Sequence, residues 1–293
     1  MFERSNRGLL TAGIVLFMVS GCTTFHLGGP STVSAPPPES GDLSTTQRVV
    51  TQGDLLQIQR EDPALTISRS VQILARLNRK DPVYIQKDIK HHKPLQAPRD
   101  FSSYRDWTPL PRDIPEIKAL PRFILVVKSI PFLGWYENGR LVGDTYVGIG
   151  RKNDWTRAGF YRVDKKDPVH WSTYSDAYGD QAVMPDALHI YARVWIHLGD
   201  VIGPYCSHGC INVPMGYSGK LWDWATVGAP VLVTPSLKSL HRDLRAALHK
   251  RLPRHKNGKS RPKKQVKATK DKQWFASLPG HAETFERAAA RLK

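Results

Sequence analysis

The side chains able to do chemistry crowd into one stretch of this chain: Trp195, His197, Cys206, Ser207, His208, Gly209, Cys210 and Asn212 lie within residues 195–212. Three chemistries suit these types at this spacing. In the first, Cys210 is a nucleophile and His197 its base, since a thiol that titrates near ~8.5 must be deprotonated to attack. Gly209 would let a carbonyl come close, and the amides around Cys210 would form an oxyanion hole. In the second, Cys206, His208, Cys210 and His197 bind zinc, although one-residue spacings are tighter than usual for such sites. In the third, Cys206 and Cys210 form a disulfide in an oxidising compartment. A fourth reading, small cysteines filling a β core, sits poorly with His and Gly flanking a thiol ahead of Asn.

These residues need elements to hold them. Phe123–Val127 is a short apolar run of β type. Trp135 to Glu137 and Arg140 to Val142 flank Asn138-Gly139, the pair that suits both positive-φ positions of a type I′ hairpin turn. Residues 145–149, 160–163, 189–191 and 194–196 add short strands, and Val231 to Val233 closes the set. A short helix carrying Trp222 and Trp224 starts near Pro214. The spacing thus predicts a mainly β domain over 121–235, long enough to bury its own core. Upstream, Ser44-x-x-Gln47 reads as a capping box opening a helix, and Val71, Leu74, Ala75 and Leu77 mark a second one. The proline-rich stretch 94–121 reads as an extended connection. Residues 164–186, with His170, Trp171, Tyr174, Tyr178 and Met184, form an aromatic insert, either a substrate wall or lid or an ordinary packed loop. His189 reads as a structural histidine, with a substrate contact as the alternative.

The chain has 293 residues, 40% hydrophobic and 24% charged, which excludes wholesale disorder. Three cysteines exclude a disulfide-rich scaffold. The net charge of +17 is uneven, because residues 236–293 carry 17 Lys and Arg against 4 Asp and Glu. The middle of the chain is close to neutral, so this is a globular body with a basic C-terminal extension. Lys263, Lys264, Lys267, Lys270 and Lys272 form either a solvated linker or a contact for anionic wall or lipid groups. At the other end, Arg4 and Arg7 precede the apolar stretch Leu9 to Val19, as in an export signal. Val19-Ser20-Gly21-Cys22 resembles the bacterial lipobox, with Val19 where Leu is usual. That resemblance implies signal cleavage after residue 21, lipidation of Cys22 and, with Thr23 rather than Asp next, an outer-membrane anchor facing the periplasm. Several acyl chains hold a protein at a membrane far better than one. Residues 22–43 would be the tether, 44–120 a helical and proline-rich region. An extracytoplasmic address removes nucleic acid as a partner.

Ser207-His208-Gly209-Cys210-Ile211-Asn212 is similar to the signature of the bacterial L,D-transpeptidases: Ser or Thr, His, Gly, Cys, an apolar residue, then Asn or Arg. The separate upstream histidine of that family corresponds to His197. The strands and hairpin after Pro121, Val147-Gly148-Ile149-Gly150 and the close at Val227–Val231 are similar as well, so the resemblance covers about 121–234. It implies a β-sandwich-like catalytic domain with flanking α-helical segments. It implies Cys210 as nucleophile, His197 as base, the Leu198 carbonyl as its orienting partner, and amides at His208, Gly209 and Cys210 as the oxyanion hole. Ser207, His208, Asn212, Tyr191 and Met184 are expected to bind substrate, with Asn212 also bracing the loop. The implied reaction uses peptidoglycan: the thiolate attacks the diaminopimelate carbonyl of a tetrapeptide stem, D-Ala leaves, and an amine resolves the thioester. The acceptor stays open among a second stem, a free D-amino acid and a protein lysine; water would make the enzyme a carboxypeptidase or amidase. A peptidoglycan-binding lipoprotein without turnover is the non-enzymatic alternative. No metal or organic cofactor is implied, and carbapenem acylation of Cys210 is expected. Two departures matter: only nine residues separate His197 from Ser207, and Cys206 adds a second thiol.

Overall fold

The run Phe123–Val127 has no polar alternation, which is the mark of a strand covered on both faces. In the computed structural model, which describes residues 43–175 and 181–249, all five of its residues are buried. This strand, β3 (Phe123–Val127), is the centre of a five-stranded sheet. With β4 (Phe132–Glu137), β5 (Arg140–Tyr146), β7 (Gly159–Arg162) and β13 (Pro230–Thr234) the order is β5-β4-β3-β13-β7. The β4–β5 turn is built by Asn138 and Gly139 with φ of 47° and 84°, the conformation a type I′ turn requires.

The two faces of this sheet belong to different cores. Ile124, Val126, Leu133, Trp135, Val231 and Val233 point inward onto a second, four-stranded sheet, against Leu188, Ile190, Ile196, Ile211 and Val213. That sheet runs β12-β10-β9-β8, from β8 (Lys165–Ser175), β9 (Gln181–Tyr191), β10 (Val194–Leu198) and β12 (Ile211–Val213). The mainly β, sandwich-like architecture expected from the sequence is present. Phe123, Leu125, Val127, Phe132, Tyr136 and Leu232 point the other way. They pack under a helical layer: α1 (Gln52–Glu61), α2 (Ile67–Asn78), α3 (Pro82–Lys90) and α5 (Leu240–His249). A last helix, α4 (Ser218–Trp224), covers the four-stranded sheet. Two small ribbons complete the fold: β1 (Thr45–Val49) with β2 (Pro94–Pro98), and β6 (Ile149–Gly150) with β11 (Tyr205–Ser207).

The helical layer is tied to the sheet by charge as well as by apolar contact. Arg76 on α2 donates to the Asp144 carboxylate on β5 at 2.6 Å and to the Trp107 carbonyl at 3.0 Å. Thr108 donates to the same carboxylate at 2.8 Å. Both partners are only 15% exposed, so neither charge is freely solvated.

Several local expectations need correction. Ser44-x-x-Gln47 opens no helix: Thr45–Val49 is a strand paired with Pro94–Pro98. The first helix begins after Thr51, whose hydroxyl accepts from the Asp54 amide at 3.1 Å while the Asp54 carboxylate accepts from the Thr51 amide at 2.7 Å. Pro214 lies in a turn, and the Trp222 helix starts four residues later at Ser218. Of the insert 164–186, the described residues lie mostly in two long antiparallel strands, β8 and β9, rather than in a loop, and Tyr178 lies outside the described residues. The proline-rich stretch is extended at β2 yet packs closely, burying Leu95, Phe101, Tyr104, Leu110, Ile114 and Ile117. The export signal, Cys22, residues 22–42 and the tail from 250 onward lie outside the described residues.

Candidate active site

Strand β10 pairs with β9 on one side and, in parallel, with β12 on the other. His197 is opposite Asn212 and Ile196 opposite Ile211. Cys210 itself lies in the bend just before β12. Trp195 and His197, two apart on β10, share a face, and Cys210 packs against Trp195, so Cys210 sits on the His197 side of the sheet.

His197 is 7% exposed, and its Nδ1 lies 2.7 Å from the Leu198 carbonyl. A carbonyl only accepts, so Nδ1 carries the proton and Nε2 the lone pair. Burial pushes the imidazole down to about 4; the Leu198 carbonyl opposes this and the neighbouring His170 adds to it. At neutral pH His197 is therefore an uncharged base with a fixed tautomer. Burial pushes the Cys210 thiol up from its ordinary value, against the Trp195 amide, which would stabilise the thiolate. Its sulfur donates to the Arg193 carbonyl at 3.6 Å, beside the irregularity in β-pairing between Val194 and Trp195. The resting pair is thus a neutral thiol and a neutral imidazole.

The loop before Cys210 is shaped by its own hydrogen bonds. Ser207, 8% exposed, donates to the Cys210 carbonyl at 2.6 Å and accepts from the Gly209 amide at 3.0 Å. The Gly209 amide, one of the three expected in the oxyanion hole, is engaged by Ser207. Gly209 is needed for its conformation instead. Its φ is +130°, and a Cβ there would lie 2.9 Å from the Trp155 carbonyl oxygen. Thr156 locks the arrangement, donating to the Gly209 carbonyl at 2.8 Å and accepting from the Gly150 amide at 2.9 Å. Nothing in the sequence pointed to Thr156.

Residues 121–233 match the model of the YkuD family, the L,D-transpeptidase catalytic domain. This segment belongs to that domain family. No curated protein matches the chain. Among solved structures it is similar to an L,D-transpeptidase from Mycobacterium smegmatis, at 19% identity and a TM-score of 0.35, over 39% of this chain and 58% of that one. It is similar to one from Enterococcus faecium at 24% identity and 0.36, over 39% and 50%. It is also similar to the isolated catalytic domain from E. faecium at 25% and 0.33, over 39% of this chain and 96% of that one. The chain spans only about half the length of the first two.

Residues of β9 and β10 in this domain pack around Cys210. Met184 is buried with Ala187 and Trp195, and Cys210 packs against them. Tyr191 stacks on Tyr161 at 4.2 Å, and its hydroxyl accepts from the Arg157 amide at 2.7 Å. A thiolate at Cys210 would raise the Tyr191 phenol, as burial already does. His208 lies between two rings, Tyr174 stacked at 5.0 Å and Trp155 tilted at 5.5 Å. With Asp154 and Arg157 these three bound an open cavity of about 500 Å³. Of the expected substrate residues, Met184 and Tyr191 lie beside Cys210, and His208 lines the cavity. Sequence reasoning missed Arg157 and Trp155, whose cationic and aromatic types were visible but whose place in the cavity was not.

The remaining expectations resolve against these positions. Asn212 donates through its amide to the Asp200 carbonyl at 3.0 Å, which braces the preceding loop. His189 has an acceptor at each ring nitrogen, Asp164 at 2.5 Å and the Ala192 carbonyl at 2.9 Å, and reads as structural. Cys206 and Cys210 are free thiols. Cys206 faces the Asp200 carbonyl at 3.8 Å and fills the space left by Gly148, where a Cβ would meet its sulfur at 2.4 Å. The zinc set is not assembled: among the described residues no three His, Cys, Asp or Glu side chains form a metal-binding group.

Proposed function

We propose that this protein is a cysteine-dependent L,D-transpeptidase acting on peptidoglycan stem peptides. The observation that carries the reading is the buried His197, its Nδ1 fixed on the Leu198 carbonyl and its Nε2 free to take a proton, on the same sheet face as Cys210. A neutral base beside a protonated thiol can drive nucleophilic catalysis without a standing ion pair.

In the first half-reaction the Cys210 sulfur turns from the Arg193 carbonyl toward His197, and its proton passes to Nε2. A carbon–sulfur bond forms at the diaminopimelate carbonyl, and the His208 and Cys210 amides receive the oxyanion. The carbon–nitrogen bond to D-Ala breaks, the imidazolium returns its proton to the departing amine, and a thioester remains on Cys210. An acceptor amine then attacks, gives a proton to Nε2, and releases the sulfur, which recovers that proton. The cavity at His208 suits such a substrate. Arg157 offers a cation for a stem-peptide carboxylate, and Trp155 and Tyr174 offer apolar walls. We further propose that the chain is exported and held by lipid on Cys22, on the strength of the lipobox resemblance at residues 19–22.

The test is product analysis with a disaccharide tetrapeptide and the reduced full-length chain. Loss of D-Ala with new dimers, or with exchange of an added D-amino acid, is expected. Tripeptide alone under conditions rich in acceptor amine would convert the reading to a carboxypeptidase. No product and no thioester would favour a binding protein without turnover.

A further inference from the structure

The loop between base and nucleophile, residues 199–204, is held from the helical layer. Asp81 is the N-cap of α3, where an Asp ordinarily accepts from an amide of the helix's first turn. Its side chain makes no capping bond. One carboxylate oxygen instead accepts from the Val201 amide at 2.8 Å, across 120 residues of sequence. The other accepts from the Tyr146 hydroxyl at 3.1 Å. The Asp81 amide in turn donates to the Val201 carbonyl at 2.8 Å. Val201 is therefore held at both polar backbone groups, and its side chain is fully buried in the helical core.

The neighbouring residue extends the link to the site. Asp200 accepts from the Tyr84 hydroxyl of α3 at 3.0 Å through its carboxylate. Its carbonyl accepts from Asn212 at 3.0 Å and faces the Cys206 thiol at 3.8 Å. Two consecutive loop residues thus touch α3 on one side and, on the other, the residues just before and just after the Ser207–Cys210 turn.

We propose that Asp81 is a positioning residue for the chemistry at Cys210. Acting through Val201 and Asp200, it fixes the Ser207–Asn212 segment against β10, so that the helical region 44–120 completes the catalytic unit. The proposal rests on the reading of Cys210 as nucleophile. Its force comes from the short connection: a loop of so few residues, pinned at its middle, transmits any displacement to Asn212 and Cys206. A misplacement of about 1 Å at a reacting pair can cost ~10²-fold in rate.

The experiment compares the full-length wild type with Asp81→Ala, Asp81→Asn and Tyr84→Phe. It measures kcat and KM for D-Ala release from a disaccharide tetrapeptide, thioester formation by intact mass, and thermal unfolding. Asp81→Ala is expected to lower kcat ~10- to 100-fold with KM changed little. Asp81→Asn keeps an acceptor oxygen for the Val201 amide and is expected to restore most of the rate. Tyr84→Phe removes only the Asp200 contact and is expected to lower kcat a few-fold without lowering the melting temperature. A folded Asp81→Ala variant that melts earlier but turns over at the wild-type kcat would overturn the proposal. If Asp81→Ala does not fold, an unchanged kcat in Tyr84→Phe overturns it. A wild type that never forms a thioester would instead sink the reading of Cys210 and this proposal with it.

Discussion

The two faces of the five-stranded sheet do different jobs with similar means. The inner face packs Ile124, Val126 and Trp135 against the sheet that carries His197, and the site's reactive groups stand on the far side of that second sheet. The outer face packs Phe123, Leu125 and Tyr136 under α2 and α3 and holds no reactive pair. Yet the outer layer reaches the site, because Asp81 and Tyr84 grip the loop behind it. The family match covers only residues 121–233, while one core cluster includes residues from Val50 to Leu244. The packing behind the site thus extends beyond the segment defined by shared sequence.

If that division holds, substitutions at the site should change rates and substitutions in the outer packing should change stability, with the loop-gripping Asp81 and Tyr84 as the outer residues that also change rates. The largest rate effect short of removing the nucleophile is expected for His197→Gln, which loses the base. General-base catalysis is typically worth ~10²–10⁴-fold, so thioester formation should slow by that range while the melting temperature holds or rises. A fully active His197→Gln would break the comparison outright. Next comes Arg76→Ala on the outer side. It leaves Asp144 with a poorly solvated, uncompensated charge and should destabilise by about 3 kcal/mol, read from denaturant unfolding. The folded fraction should keep its kcat, since Arg76 touches β5 and not the loop.

Acidity sharpens the same contrast. The His197 imidazole is depressed from its ordinary 6.5 to about 4 in the folded protein. Between those values the unfolded chain binds a proton that the folded one does not, so stability is complete above about 6.5 and is lost as pH falls toward 4. His197→Gln should flatten this part of the stability–pH curve, and an unaltered slope would assign it to other groups. The smallest effect is expected for Cys206→Ala. Its thiol fills a gap beside Gly148 away from the Cys210 sulfur's partner, so turnover should change less than twofold, within the effect of a small packing defect.

How far the sequence could be read follows the range of the interactions. The Ser207–Asn212 motif, the Asn138-Gly139 turn and the unbroken apolar run at β3 are local patterns, and each was legible. The Leu198 carbonyl was legible through the family resemblance, because it is the neighbour of the base. Ser44-x-x-Gln47 misled for a local reason: Thr45, Thr46, Val49 and Val50 favour a strand, and a partner 50 residues on decided the matter. The full length of β8 and β9 was hidden by Pro168 and Pro185, which read as breakers in a strand. What no local pattern could disclose were contacts across long separations: Asp81 to Val201, Arg76 to Asp144, and Tyr174 stacked on His208. An N-cap Asp gives no sign in sequence that its carboxylate is used elsewhere.

The central claim is that Cys210, and not Cys206, takes the acyl group with His197 as base. The most direct measurement is site mapping of the adduct: incubate the reduced full-length chain with disaccharide tetrapeptide, quench in acid, digest, and locate the muropeptide mass by peptide sequencing. The account predicts a tripeptide acyl adduct on Cys210, undiminished in Cys206→Ala, sharply reduced in His197→Gln and lost in Cys210→Ala. An adduct on Cys206, or one that persists in Cys210→Ala, would contradict it.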